Sequence, residues 1–97
     1  MSSEKVVIIT GAGRGIGAAT AKLFASNGFA VCINYKSNSQ SANEVAEAIT
    51  AQGGKCITVQ ADVSCEDEVT RLFSIVDEKL GHLSVLVNNA GILKKQS

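Results

Sequence analysis

The chain predicts an α/β fold, an open doubly wound parallel sheet read as βαβαβαβ with strand order 3-2-1-4. Three observations carry this. Short apolar runs of strand length alternate regularly with segments of helical periodicity, the pattern of strands joined by crossover helices. Glycine punctuates most of the changes, at Gly28, Gly53-Gly54 and Gly81, and the 97 residues contain no proline, repeat or low-complexity stretch. Two turns rich in glycine or asparagine follow the first and last apolar runs. In such a sheet those positions are the carboxyl ends of strands one and four, where the strand order reverses and a ligand crevice opens.

The elements are justified in order. Lys5–Ile9 reads as the first strand, and Gly15–Asn27 as a helix with Ile16, Ala19, Leu23 and Phe24 at helical spacing and Gly28 as its C-terminal cap. Ala30–Tyr35 is the second strand, and Lys36 to Gln40 a polar loop. Ser41 and Glu44 have capping-box spacing for a second helix, whose face is Ala42, Val45, Ala46 and Ile49. Lys55–Gln60 is the third strand. Ser64 with Asp67 is expected to cap the third helix, whose stripe is Val69, Leu72, Phe73, Val76 and Leu80. Leu83–Val87 is the fourth strand.

The chemistry is concentrated in the first turn, Thr10-Gly11-Ala12-Gly13-Arg14-Gly15-Ile16-Gly17. A glycine-rich turn between a buried strand and a helix N-terminus suits a phosphate, because the first helical N–H groups are unpaired and the dipole's positive end faces the ligand. G-x-G-x-x-G starting at Gly11 fails at Ile16, and no Gly-Lys-Ser/Thr follows for a P-loop. What fits in full is T-G-x-x-x-G-x-G, as Thr10, Gly11, Gly15 and Gly17. In that context Gly11 allows the exit from strand one, Gly15 the approach of a pyrophosphate, and Gly17 the packing of helix one. Thr10 is expected to anchor the loop through its hydroxyl.

Together with Asn88-Asn89-Ala90-Gly91 after Val85-Leu86-Val87, this turn resembles the short-chain dehydrogenase/reductase family. The resemblance implies a Rossmann-like fold and a nicotinamide cofactor. It implies a cofactor-binding set of Gly11, Gly13, Arg14, Gly15, Ile16 and Gly17 in the turn, and of Tyr35 and Lys36 after strand two. Asp62 is expected at the adenine amino group, Val63 against its ring, and the backbone of Asn89, Ala90 and Gly91 along the ribose and nicotinamide. Asn88 is expected to tie the central strands together. An NAD-binding domain usually carries an acid after strand two to bond the ribose hydroxyls, but here Tyr35-Lys36-Ser37 supplies none before Glu44. Lys36 and Arg14 would attract a 2′-phosphate, so NADP(H) is favoured over NAD(H).

Family members run to roughly 250 residues, so the resemblance covers nearly all of this chain but only the first part of the pattern. The family's Tyr-x-x-x-Lys pair is not here: Tyr35 is the one tyrosine, and Ser39 stands four places on. No catalytic residue is assigned. Residues 1–97 are therefore expected to be the N-terminal part of one dinucleotide-binding domain whose catalytic half is absent, inactive alone. When full-length, the protein would pass hydride between NADP(H) and a small carbonyl or alcohol, as a homo-oligomer. The Asn34-Tyr35-Lys36 ending looks most like the 3-oxoacyl-carrier-protein reductase and glucose-dehydrogenase-like branches. Two alternatives stay open: a truncated nucleotide-binding product without a reaction, and an interaction subunit pairing through its open sheet edge.

Composition sets bounds. Nine basic and nine acidic residues cancel, which argues against nucleic-acid or anionic-membrane partners. The first residues lack a signal-peptide plan, and no apolar stretch nears the ~20 residues of a membrane span. Cys32, Cys56 and Cys65 are odd in number and lack C-x-x-C spacing, so they read as buried reduced thiols of a cytoplasmic chain, with no metal site.

Overall fold

The computed structural model describes residues 5–13 and 15–89. The elements are β1 (Val6–Ile9), α1 (Gly15–Ser26), β2 (Ala30–Tyr35), α2 (Ser39–Ala51), β3 (Lys55–Gln60), α3 (Glu66–Lys79) and β4 (Val85–Val87). All four strands form one parallel sheet in the order β3-β2-β1-β4, the expected doubly wound arrangement and a partial Rossmann-like fold. The register runs Val6↔Ala30 to Ile9↔Ile33 between β1 and β2, Val7↔Val85 to Ile9↔Val87 between β1 and β4, and Ala30↔Lys55 to Tyr35↔Gln60 between β2 and β3. No helix among the described residues is long and apolar enough to cross a membrane.

Because strand side chains alternate, β1 feeds two cores at once. Val6 and Ile8 join Ala30, Cys32, Val59, Leu72, Val76 and Leu80 beneath α3. Val7 and Ile9 join Val31, Ile33, Ala21, Ala42, Val45 and Ile49 beneath α1 and α2. Each fully buried isoleucine of that strand contributes roughly 1.5–3 kcal/mol of apolar burial. Burial also pushes the Cys32 thiol up to about 12, so it stays protonated and acts as a small apolar group. The other two cysteines depart from the expectation of burial: Cys56 is half-buried and Cys65, at the start of α3, is exposed.

Several local expectations are corrected. Helix α2 begins at Ser39, earlier than the Ser41/Glu44 box places it, because Asn38 is the cap and its Oδ1 accepts from Ser41 N at 3.1 Å. Strand β4 is shorter at its start: Ser84 leaves the regular ladder and clamps Val6, donating its N–H to the Val6 carbonyl (2.8 Å) and accepting from Val6 N through Oγ (3.3 Å). Ser64 does not cap α3. The cap position is Cys65, without a side-chain bond, and the Ser64 hydroxyl donates instead to Asp62 Oδ1 at 2.6 Å.

The largest correction concerns α1. Ile16 and Leu23 of the expected stripe are 78% and 63% exposed. The buried face is made of Gly17 and Ala21, with Ala18, Phe24 and Ala25 packed beside them. The reason is the closeness of the helix to the preceding turn. A Cβ on Gly17 would lie 2.5 Å from the Gly11 carbonyl oxygen and 2.9 Å from Ala12 Cα, both backbone atoms. At that separation only small residues can face inward at the start of the helix, while Phe24, two turns on, packs on the core as expected.

Gly17→Ala is therefore expected to destabilise the chain by about 1–3 kcal/mol, the usual cost of overpacking. Gly13→Ala should be nearly neutral, since its Cβ would meet Ala42 N at an ordinary 3.7 Å. Thermal melts of the two variants decide the matter, with equal midpoints counting against the close-packing account. A second expectation follows from β4, whose outer side faces no described strand and whose Leu86 is 48% exposed. Such an edge recruits further strands, and a lysine on it is unfavourable for that pairing. Sedimentation velocity should show concentration-dependent self-association of the chain, reduced in Leu86→Lys; identical sedimentation of both would oppose it.

Candidate nucleotide-binding site

The site is assembled where β1, β2, β3 and β4 end. Thr10 closes β1, is almost fully buried, and binds the end of β4 several times. Its N–H donates to the Val87 carbonyl at 3.0 Å, its hydroxyl donates to Asn88 Oδ1 at 3.2 Å, and its Oγ1 accepts from Asn89 N at 2.9 Å. Thr10 thus anchors the loop and Asn88 ties the central strands. Asn89 adds a side-chain contact, donating Nδ2 to the Gly11 carbonyl at 3.2 Å.

From the other side the turn is held by β2. Ala12 N donates to the Asn34 carbonyl at 3.0 Å. The Asn34 side chain is buried and donates Nδ2 to the Ala61 (3.1 Å) and Val59 (3.3 Å) carbonyls, joining β2 to the end of β3. Sequence reasoning missed this residue. Its signal was a lone amide in an otherwise apolar run, which must find partners when buried.

Gly11 and Gly15 take φ of 65° and 64°, the left-handed region where a side chain is strained. Around Gly15 a Cβ would meet nothing within 4 Å, so open space lies over the first turn of α1. That turn carries no acidic residue to neutralise the positive end of its dipole, whereas α3 begins with Glu66, Asp67 and Glu68. A left-handed glycine turn leading into a helix start with no acidic residue fits a phosphate of a dinucleotide. Ile16, beside Gly15, is exposed, and Gly13 lies next to α2. Arg14, Ala90 and Gly91 lie outside the described residues.

Tyr35 is half-buried against the α1/α2 core, and Lys36 follows it with its side chain 75% exposed. The Lys36 ammonium lies 3.8 Å from Asp62 Oδ2. Asp62 Oδ1 accepts from both the N–H (3.0 Å) and the hydroxyl of Ser64, while its own N–H donates to Glu68 Oε1 at 2.7 Å. The Ser64 donors hold the Asp62 carboxyl below the usual carboxylate range, and the Lys36 charge acts in the same direction. Val63 packs against the α3 core. The turn, Lys36 and Asp62 therefore stand at one end of the sheet, the turn beside the reversal of strand order between β1 and β4 and the charged pair at the ends of β2 and β3.

A family model described as short chain dehydrogenase matches residues 5–97. An uncharacterised oxidoreductase of Escherichia coli is 46% identical over 91 residues, 94% of this chain and 37% of that protein. A 3-oxoacyl-[acyl-carrier-protein] reductase of Synechocystis is 46% identical over 92 residues, 95% of this chain and 37% of its own length. Among solved structures, a short-chain dehydrogenase/reductase of Serratia marcescens superposes with a TM-score of 0.87 at 39% identity, covering 91% of this chain and 36% of that one. A hydroxysteroid dehydrogenase from Escherichia coli gives 0.82 at 38% identity, covering 87% and 35%. The chain spans a little over a third of the length of these relatives. The matched turn, the strand order and the two asparagines at the end of β4 identify it as a member of the short-chain dehydrogenase/reductase family of oxidoreductases, whose members bind NAD(P).

Proposed function

We propose that this chain is the dinucleotide-binding segment of an oxidoreductase that transfers hydride between NADP(H) and a small carbonyl or alcohol. The observation that carries the reading is the turn at the start of α1, with Gly11 and Gly15 in the left-handed region and the loop pinned by both β2 and β4. Gly11, Gly13, Arg14, Gly15, Ile16 and Gly17 would hold the pyrophosphate, and Asn89, Ala90 and Gly91 the nicotinamide side. Tyr35, Lys36, Asp62 and Val63 would receive the adenosine half. When bound, the cofactor supplies a hydride-carrying nicotinamide carbon. The segment's own residues fix its position, which lowers the entropic part of the barrier without any bond chemistry of theirs. Relatives named as reductases, including a hydroxynaphthalene reductase of Aspergillus fumigatus at 42% identity, support a carbonyl substrate.

Catalysis in this reading needs a proton donor that the chain does not contain, so the 97 residues should turn over no carbonyl or alcohol above a buffer blank. A longer, multimeric protein in the cytoplasm is the setting proposed for activity. The relatives' greater length supports this assignment of residues 1–97 to one domain's N-terminal part.

The preference for NADP(H) rests on Lys36, with no carboxylate at the end of β2. The probes 2′,5′-ADP and 5′-AMP isolate it, because they differ only in the 2′-phosphate. Isothermal titration should show tighter binding of 2′,5′-ADP by about tenfold or more, the scale of one charge-assisted hydrogen bond. Lys36→Asp should reverse the order, since a carboxylate repels the phosphate yet bonds a free ribose hydroxyl. Equal affinities in the unsubstituted chain would overturn the NADP(H) assignment.

A further inference from the structure

Lys36 does not stand alone at the mouth of the site. Its carbonyl accepts from Gln60 Nε2 at 2.9 Å, and the Gln60 carbonyl accepts from Arg71 Nη2. Arg71 Nη2 lies 3.9 Å from Glu68 Oε1, the oxygen that also accepts the Asp62 N–H. With the Lys36–Asp62 pair these contacts form a closed ring from β2 through β3 to α3 and back. Within it Asp62 is held in place, with Oδ1 accepting from two Ser64 donors, the Cys65 thiol bonded to the same carboxylate, and Oδ2 beside the ammonium.

An exposed pair at 3.8 Å contributes little to stability. Its consequence is the placement of charge: a fixed carboxylate beside the cation expected to meet a dianion. We propose that Asp62 is a specificity-determining residue that lowers the preference for 2′-phosphorylated nucleotides by competing with the phosphate for Lys36. This rests on the reading that Lys36 meets the 2′-phosphate. In the free chain the ammonium is paired with Asp62, and a bound phosphate must draw it away. Entropy saved by pre-positioning so mobile a side chain is the opposing effect, and at this exposure it is the smaller one.

The test measures 2′,5′-ADP and 5′-AMP binding to the unsubstituted chain, Asp62→Asn, Lys36→Met and the double variant, by NMR titration. Asparagine keeps an oxygen for the Ser64 donors, and amide dispersion reports the fold of each variant. Both probes share adenine and the 5′-phosphate, so any loss of an adenine contact at Asp62 cancels in the ratio of their affinities. Asp62→Asn should raise the ratio about two- to fivefold, the scale of one exposed ion pair released. Lys36→Met should lower it, and adding Asp62→Asn to Lys36→Met should then change it less than about twofold, as expected when both act through one contact. Without ligand, the carbon-detected midpoint of the Asp62 carboxyl should rise in Lys36→Met.

A ratio unchanged or lowered by Asp62→Asn, with Lys36→Met still lowering it, overturns this inference and leaves the cofactor reading standing. The same holds for an equal gain in both backgrounds, or for an Asp62 midpoint indifferent to Lys36→Met. A ratio unmoved by Lys36→Met, or a chain that binds neither probe, overturns both.

Discussion

The close approach of α1 to its own preceding turn is the constraint on which the rest depends. With only hydrogen on Gly17, the helix start settles against the Gly11 carbonyl and Ala12. That contact dictates which side of α1 faces the sheet, sends Ile16 and Leu23 outward, and fixes the direction in which the first free N–H groups point. The turn is then tied from two sides, by the Asn34 carbonyl through Ala12 and by Asn89 through Gly11. A phosphate cradle made of backbone requires such bracing, since backbone donors keep their aim only if the loop cannot rearrange.

The four strand ends contribute differently. β1 and β4 provide the frame, through Thr10, Asn88 and Asn89. β2 and β3 provide the charges, with a cation and an anion facing one another across the adjoining ends.

Strand order and the limits of β2 and β3 were readable from the sequence because apolar runs bounded by glycine or polar loops leave little choice of register. The glycine turn was readable because its spacing reports a backbone requirement. The inward face of α1 was readable only at Phe24: hydrophobic periodicity points to large side chains, whereas at the start of the helix tight packing admits Gly17, Ala21 and their small neighbours. Asn38 and Ser64 were misjudged for a related reason, since several residues in each loop have the chemistry to cap and geometry alone selects one. The ring through Lys36, Gln60, Asp62, Glu68 and Arg71 could not be foreseen, because it joins exposed residues of separate elements that no period relates.

The bonds of Thr10 to Asn88 and Asn89 join residues 78 and 79 positions apart. Loop closure over such a length must precede any gain from these contacts, and parallel pairing of distant strands is intrinsically slow. β1 and β2 can meet as soon as α1 has formed, but the frame of the crevice is completed only once β4 has been synthesised and docked. During translation, then, the glycine turn waits half-built until β4 arrives to brace it.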